Sequence, residues 1–339
     1  MQYDQNVLTR TERRIFALRT LYSRAGYRSY RMRKFEGYDL YSRNKDFLLS
    51  DRVITFTDTN GKLKALKPDV TLSIVKNIED RTDKVARLFY DENVYRVSER
   101  TNSFREIMQM GLECIGAADN QAAAEVISLA EQSLALVAED NDYILRVSDI
   151  DLLIFILEDM TDSRALQSDL LKLAGEKNLH EISRLAAASD IPEEKCRTLT
   201  GLLGLYGDPA EVMPKLAEIC RGTAAEAEVS ELQDVLDRFY AEKERTGAGH
   251  GQHIVLDFSI IGDVNYYNGM AFEGYIDGIP ECVLVGGRYD RLMRRMKKKS
   301  RAIGFAVYLD TLGMLGRTAG DQAIESFFGS YAAGDEEEQ

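Results

Sequence analysis

Apolar residues recur at helical spacing between Thr9 and Arg24, where Ile15, Leu18 and Tyr22 share one face. The pattern predicts a helix capped by Thr9 or Thr11 and ended at Gly26. Tyr27 to Tyr41 mixes aromatic and polar residues in the manner of strand or loop. Val53 to Asp58 alternates with period two and runs into Asn60-Gly61, which predicts a hairpin with Leu63–Leu66 as its return strand. Pro68-Asp69 opens a predicted helix through Ile78, with the proline in its first turn. Strands are predicted over Arg87–Val97 and Met108–Gly116, joined by the polar loop Ser98–Ser103. An amphipathic helix over Ala122–Val137 and a short strand over Tyr143–Val147 follow.

From Asp151 to about Ala248 the texture changes to Leu, Ala and Glu. Helical spacing recurs in Leu166–Leu173, Ile182–Ala187, Val212–Ile219 and Leu232–Tyr240, with breaks at Ile191-Pro192 and Gly207-Asp-Pro209. Strand texture returns at His253–Ile261, Met270–Ile276 and Cys282–Val285. A helix is expected after Gly287, then an apolar strand over Ile303–Leu309. Strand-rich material on both sides of a helical block predicts one discontinuous domain, 1–157 and 249–317, carrying an all-helical insertion, 158–248. The end, 318–339, closes on Asp335-Glu-Glu-Glu and reads as an acidic flexible tail.

Composition narrows the function classes. The 339 residues carry Lys+Arg 43 against Asp+Glu 56, a net charge of −13, and are 45% hydrophobic. That is the balance of a folded globular chain with a sizeable core. A net acidic chain is no generic nucleic-acid binder, because phosphate attraction dominates such affinity. The apolar run Leu152–Leu157 falls far short of the ~20 residues of a membrane span, and with no apolar core in the first residues secretion is not expected. Cys114, Cys196, Cys220 and Cys282 are scattered, so neither a disulfide framework nor a zinc site is expected, and a cytoplasmic setting fits. No metal or other cofactor is expected.

Several polar residues stand where chemistry is plausible. Asp69 and Thr71 sit at a helix start, where the ordinary reading is an N-cap. Arg96 ends one predicted strand. On the next, Gln109, Gly111 and Glu113 alternate and so face one side of a sheet. That face is either solvated or the floor of a polar pocket for a zwitterionic or cationic ligand. Tyr266 and Tyr267 precede a strand, and as neighbours one of them can line a cleft. Gly286-Gly287-Arg288-Tyr289-Asp290 permits a close backbone approach but matches neither phosphate-binding nor dinucleotide glycine patterns. Basic residues cluster from Arg10 to Lys34 and at Arg291, Arg294, Arg295, Lys297, Lys298, Lys299 and Arg301. A solvated face is the first reading of such runs, a partner the second and RNA the third. His250 and His253 read as loop, and His180 as surface or cap.

Taken in order, Phe35-Glu36, Lys67-Pro-Asp-Val-Thr71, Arg96, Phe104-Arg105-Glu106, Gln109, Glu113, Asn265-Tyr-Tyr-Asn-Gly269, Gly286–Asp290 and Gly304-Phe-Ala resemble the histidyl-tRNA synthetase catalytic domain. The resemblance covers about residues 8–317. It implies an α+β, class II aminoacyl-tRNA synthetase-like fold: a mostly antiparallel sheet flanked by helices, in a domain that dimerises. It also implies a histidine-binding set of Asp69, Thr71, Arg96, Gln109, Glu113, Tyr266 and Tyr267. Asp69 and Glu113 would hold an ammonium or imidazolium, Arg96 a carboxylate, and a tyrosine the ring.

The departures from that family bear on function. Gly262 and Thr311 stand where the synthetase has ATP-holding arginines, with Asp310-Thr311 in place of its Glu-Arg. The loop between Arg96 and Arg105 is shorter, and no anticodon-binding domain is expected after Thr311. This combination, with Pro-Asp-x-Thr at Pro68–Thr71, resembles the regulatory subunits of ATP phosphoribosyltransferase. It implies a non-catalytic chain, a likeness with three consequences. The short-form catalytic subunit that joins ATP to phosphoribosyl pyrophosphate would be its partner, in the first step of histidine biosynthesis. L-histidine would be the effector. A homodimer would sit within a hetero-oligomer. The alternatives are a truncated synthetase-like enzyme that activates histidine or a related amino acid, and an RNA-binding paralogue.

Overall fold

Thr9 starts the first helix, α1 (Arg10–Arg24), through a reciprocal cap. Its hydroxyl accepts the Glu12 N–H, and the Glu12 carboxylate accepts the Thr9 N–H. Ile15, Leu18 and Tyr22 are buried as their spacing predicts. Gly26, at φ +86°, takes the left-handed conformation that ends the helix. The computed structural model describes residues 8–48, 52–98, 101–246, 253–261 and 266–315.

The chain continues through β1 (Arg28–Ser29), β2 (Phe35–Gly37), α2 (Tyr38–Ser42), β3 (Thr55–Thr57), β4 (Leu63–Leu66) and α3 (Thr71–Asn77). Two long strands, β5 (Val85–Val97) and β6 (Phe104–Gly116), lead to α4 (Asn120–Ala138), β7 (Tyr143–Asp149) and α5 (Ile150–Met160). The helical stretch adds α6 (Arg164–Gly175), α7 (Leu179–Ala188), α8 (Glu193–Gly204), β8 (Tyr206–Gly207), α9 (Pro209–Cys220) and α10 (Glu226–Thr246). The last elements are β9 (Ile254–Asp257), β10 (Met270–Ile276), β11 (Leu284–Arg288), α11 (Asp290–Arg295) and β12 (Arg301–Tyr308).

Several expectations are corrected. Tyr38–Ser42 is helical, closed by the Arg43 N–H donating to the Asp39 carbonyl. Pro68 lies ahead of α3 rather than in its first turn, because the Asp69 carboxylate accepts the Leu72 N–H and so sets the helix start at Thr71. β6 begins at Phe104, not Met108: Val97 pairs with Phe104, and the ladder runs on into exposed positions where apolar alternation no longer marks it. Gly286 and Gly287 lie inside β11 instead of behind it. A Cβ on Gly286 would stand 2.4 Å from the Phe272 ring and 2.5 Å from Phe305, so glycine lets those rings meet across the strand. β8 interrupts the helical stretch and pairs with β9.

Nine of the described strands form one sheet in the order β1-β5-β6-β12-β11-β10-β7-β9-β8, parallel only at β1–β5 and β7–β9. β2, β4 and β3 form a small antiparallel sheet that includes the expected hairpin. α1 and α4 cover one face of the large sheet, and α10 lies along α4. Leu170, Ile182, Leu199, Leu216 and Phe239 of the helical stretch join Leu145 and Leu256 of the sheet in one apolar core. The opposite face carries a second core of Leu72, Ile74, Tyr90, Tyr266 and Tyr289, capped by α3. Among the described residues no helix is long and apolar enough to cross a membrane. The segment 318–339, expected as a tail, lies outside the described residues.

Candidate functional site

Alternation along β6 sends Met110, Leu112 and Cys114 into the core shared with α4. Gln109 and Glu113 go to the other face, where they are buried beneath α3. There they border a cavity of about 260 Å³. Its volume is just under the ~300–1,000 Å³ of drug-sized ligand clefts, which suits a free amino acid. The segment before α3 brings Asp69, the first residue of α3 is Thr71, β5 brings Arg96, and the turn before β10 brings Tyr266 and Tyr267. All seven residues singled out in the sequence line this one space.

Both Glu113 oxygens are engaged. Thr71 donates its hydroxyl to Oε1 at 2.6 Å, and Tyr289 donates to Oε2 at 2.5 Å. Burial nevertheless pushes the Glu113 carboxyl up to about 8, against those two hydroxyl bonds and with the nearby Asp69 adding to the rise. Asp69 is also raised by burial, while the Leu72 N–H and the Arg96 charge oppose the shift. Its carboxylate therefore does cap α3, as the ordinary reading holds, and lines the cavity as well. Arg96 donates its Nε–H to the Pro68 carbonyl at 3.0 Å, which ties β5 to the segment carrying Asp69.

The paired tyrosines depart from expectation. Both line the cavity, because they sit in the turn ahead of β10 rather than in the strand, where neighbours would face apart. Their rings meet edge to face, with centroids 4.8 Å apart. Four further polar lining residues were not among those singled out in the sequence: Tyr90, Glu273, Tyr289 and Tyr308. Register explains them. Tyr90 pairs with Gly111, and a Cβ on that glycine would stand 2.5 Å from the Tyr90 hydroxyl. Tyr308 shares a face of β12 with Gly304 and Ala306, and the Tyr of the Gly-Gly-Arg-Tyr-Asp segment is the Glu113 partner. Glu273 accepts the Tyr275 hydroxyl at 2.8 Å and lies 3.6 Å from Arg146.

Three acidic groups, one guanidinium, an amide and a tyrosine-rich wall thus converge on one space, with complementary groups for both ends of a zwitterion. At the end of β12, Asp310 accepts the Met108 N–H at 2.9 Å and Thr311 opens a short 3-10 turn. Arg105 is exposed, opposite Arg96 in the β5–β6 register. Gly262, Asn265 and His250 lie outside the described residues, as does part of the Ser98–Ser103 loop. His253 stacks on Tyr143 at 4.1 Å, and His180 is exposed on α7.

The basic clusters are partly solvated, with Arg294, Arg295, Lys297 and Lys299 exposed, and partly engaged. Arg291 reaches Asp151, Arg301 reaches Asp290 and Glu231, and Lys298 donates to the Ile78 carbonyl. Arg10 and Arg14 both reach Glu139.

The family model described as histidyl-tRNA synthetase matches residues 5–312. A curated relative from Moorella thermoacetica, named ATP phosphoribosyltransferase regulatory subunit, is 31% identical over 81% of this chain and 69% of its own length. Among solved structures, one titled ATP phosphoribosyltransferase regulatory subunit/histidyl-tRNA synthetase, from Bacillus halodurans, superposes with a TM-score of 0.77. It covers 98% of this chain and 89% of its own, at 21% identity. The HisG:HisZ complex of ATP phosphoribosyl transferase from Thermotoga maritima contains a chain of the same fold. Its TM-score is 0.65, with coverage of 88% and 97% and 16% identity.

Proposed function

The chain belongs to the histidyl-tRNA synthetase family and, within it, to the ATP phosphoribosyltransferase regulatory subunits; from that premise we propose that it is a non-catalytic histidine sensor. It assembles with the short-form catalytic subunit, is needed for that subunit's activity in the first step of histidine biosynthesis, and transmits feedback inhibition by L-histidine. The name of the Thermotoga maritima complex supports a catalytic ATP phosphoribosyltransferase chain as the partner. A homodimer within the hetero-oligomer and a cytoplasmic setting complete the reading.

The observation that carries it is the convergence of Asp69, Thr71, Arg96, Gln109, Glu113, Tyr266 and Tyr267 on one cavity. Histidine fits their chemistry. Its carboxylate meets the Arg96 guanidinium, and its cationic groups meet Asp69 and Glu113. Its ring lies against the tyrosines. Amino-acid activation would further need preorganised cations on the ATP phosphates. The positions that carry them in the synthetase pattern are Gly262 and Thr311 here.

The helical stretch 158–248 is an insertion in the discontinuous domain 1–157 and 249–317. In its support, β7 and β9, the strands on either side of it, lie side by side, with Leu145 paired to Ile254. The chain leaves the sheet and returns at one place.

The test is phosphoribosyl transfer by the short-form catalytic subunit, with and without this chain, as L-histidine is titrated. The expected result is a rate rise on mixing that histidine suppresses. Histidine-dependent ATP–pyrophosphate exchange by this chain alone would instead establish the synthetase-like alternative.

A further inference from the structure

Arg288 alternates with Gly287 along β11. Its side chain therefore leaves the sheet on the side opposite Tyr267 and the first cavity. It enters a separate, polar cavity of about 120 Å³, where β11, the start of α5 and the helix α10 meet. Arg288 is 6% exposed, its NH1 has no hydrogen-bond partner, and no ion pair joins it to a described carboxylate. A buried guanidinium left in that condition is strongly unfavourable.

Carboxylates surround it without closing on it. Asp149 spends Oδ1 on the Asp151 and Leu152 N–H groups at the start of α5. Its Oδ2 faces Gly269, which adopts φ +60°. A Cβ on Gly269 would stand 3.7 Å from Asp151 Oδ2 and 3.8 Å from both Asp149 Oδ2 and Arg288 Cδ. Two acidic oxygens and the Arg288 stem thus converge on one patch of side-chain-free backbone. Asp290 is already committed, accepting from the Ala302 N–H at 2.8 Å and from Arg301 at 3.4 Å, and Asp151 gives its Oδ1 to Arg291 at 3.2 Å, which leaves Oδ2. Glu228 and Glu231 of α10 complete an acidic rim. Burial, then Asp151 and Glu228, push the Asp149 carboxyl up to about 8, so a cation beside Oδ2 would restore its charge.

An anion alone would satisfy Arg288 and oppose the carboxylates; a cation alone would do the reverse. We propose that this cavity binds the zwitterionic head of a small amino acid, with its carboxylate on Arg288 and its ammonium on Asp149 Oδ2 and Asp151. Size agrees: a buried space of ~150 Å³ holds benzene, and glycine is smaller. The site is independent of the first cavity but joined to it by the chain. The residue after Arg288 is Tyr289, whose hydroxyl holds Glu113.

The probe is isotopically labelled glycine, titrated into the full chain and into a Glu113→Gln variant by equilibrium dialysis. Hydrogen exchange at the start of α5 supplies a second readout. The expected result is saturable binding in both proteins, with amides at Asp151 and Leu152 protected. Affinity should fall at least tenfold in Arg288→Gln and in Asp149→Asn, the second variant serving if the first fails to fold. No saturable binding by wild type at millimolar glycine overturns the proposal. So does equal competition by acetate alone or methylammonium alone. Loss of glycine binding on Glu113→Gln places the ligand in the first cavity, which overturns this site and leaves the histidine reading intact.

Discussion

Gly304 of β12 lies directly opposite Glu113 of β6, and the space its missing side chain leaves is where the Glu113 carboxylate sits. A Cβ there would stand 2.0 Å from Glu113 Oε2 and 2.4 Å from the Leu112 carbonyl. The first contact can yield by a side-chain shift, but the second is backbone. Gly304→Ala is therefore expected to destabilise the chain by about 1–3 kcal/mol, as overpacking does. It should also weaken histidine binding at least tenfold by displacing Glu113. Chemical denaturation and calorimetric titration check the two effects. An unchanged unfolding midpoint would mean that β12 can shift at no cost.

Glu113 also links binding to protons. With its carboxyl pushed up to about 8 by burial, it is largely protonated in the empty pocket at neutral pH. A cationic group placed against it favours the ionised form. Histidine binding near pH 7 is thus expected to release a proton. Calorimetry in buffers of different ionisation enthalpy reads this directly. The dependence on buffer should vanish in Glu113→Gln.

The same groups shape stability against pH. Glu113 moves from 4.5 to about 8 on folding, and Asp149 from 3.8 to about 8. Between those limits the folded chain holds protons that the unfolded chain has released. Both groups therefore make stability fall as pH rises through that window. Melting temperature should decline from about pH 5 to about pH 8, and Glu113→Gln with Asp149→Asn should flatten the decline. A flat profile for the native chain would contradict the burial argument.

Arg96 is expected to read the ligand's carboxylate. Arg96→Lys keeps the charge and loses the two-pronged donor set. Histidine should then bind about tenfold or more weakly, the scale of a lost charge-assisted hydrogen bond. Histamine, which has no carboxylate, should be affected little. Competition binding with the two ligands separates this from a general loss of packing.

At the other end of the chain, Thr9→Ala removes the reciprocal cap of α1. The expected cost is about 0.5–2 kcal/mol. Histidine affinity should not change, because α1 covers the opposite face of the sheet. A loss of affinity here would reveal coupling across the sheet.

Much of this architecture can be read directly from local pattern. The face of α1, the Asn60-Gly61 hairpin and the alternation of Gln109, Gly111 and Glu113 need only neighbours along the chain, because backbone periodicity sets which side a residue faces. The order of motifs was equally plain from the residues, and it pointed to the family. Where pattern misled, a distant partner had intervened. Gly286 reads as lying just past the strand that ends at Val285, but it sits inside β11, where its missing side chain lets Phe272 and Phe305 meet. The strand predicted over Met108–Gly116 starts four residues earlier, because Phe104–Ile107 pair with the exposed end of β5.

Glu113 marks the boundary between the two kinds of knowledge. Its side of the strand follows from period two. Its proton does not, since that depends on α3 closing over it and on Thr71 and Tyr289 arriving from far along the chain. Tyr90, Glu273 and Tyr308 entered the site through strand register, and Arg288 acquired its acidic surroundings only when the start of α5 and the helix α10 came together at the end of β11. Facing is a local property of the backbone. Desolvation and charge pairing are sums over neighbours that only packing brings near, so the chemistry of both cavities was settled by the tertiary structure.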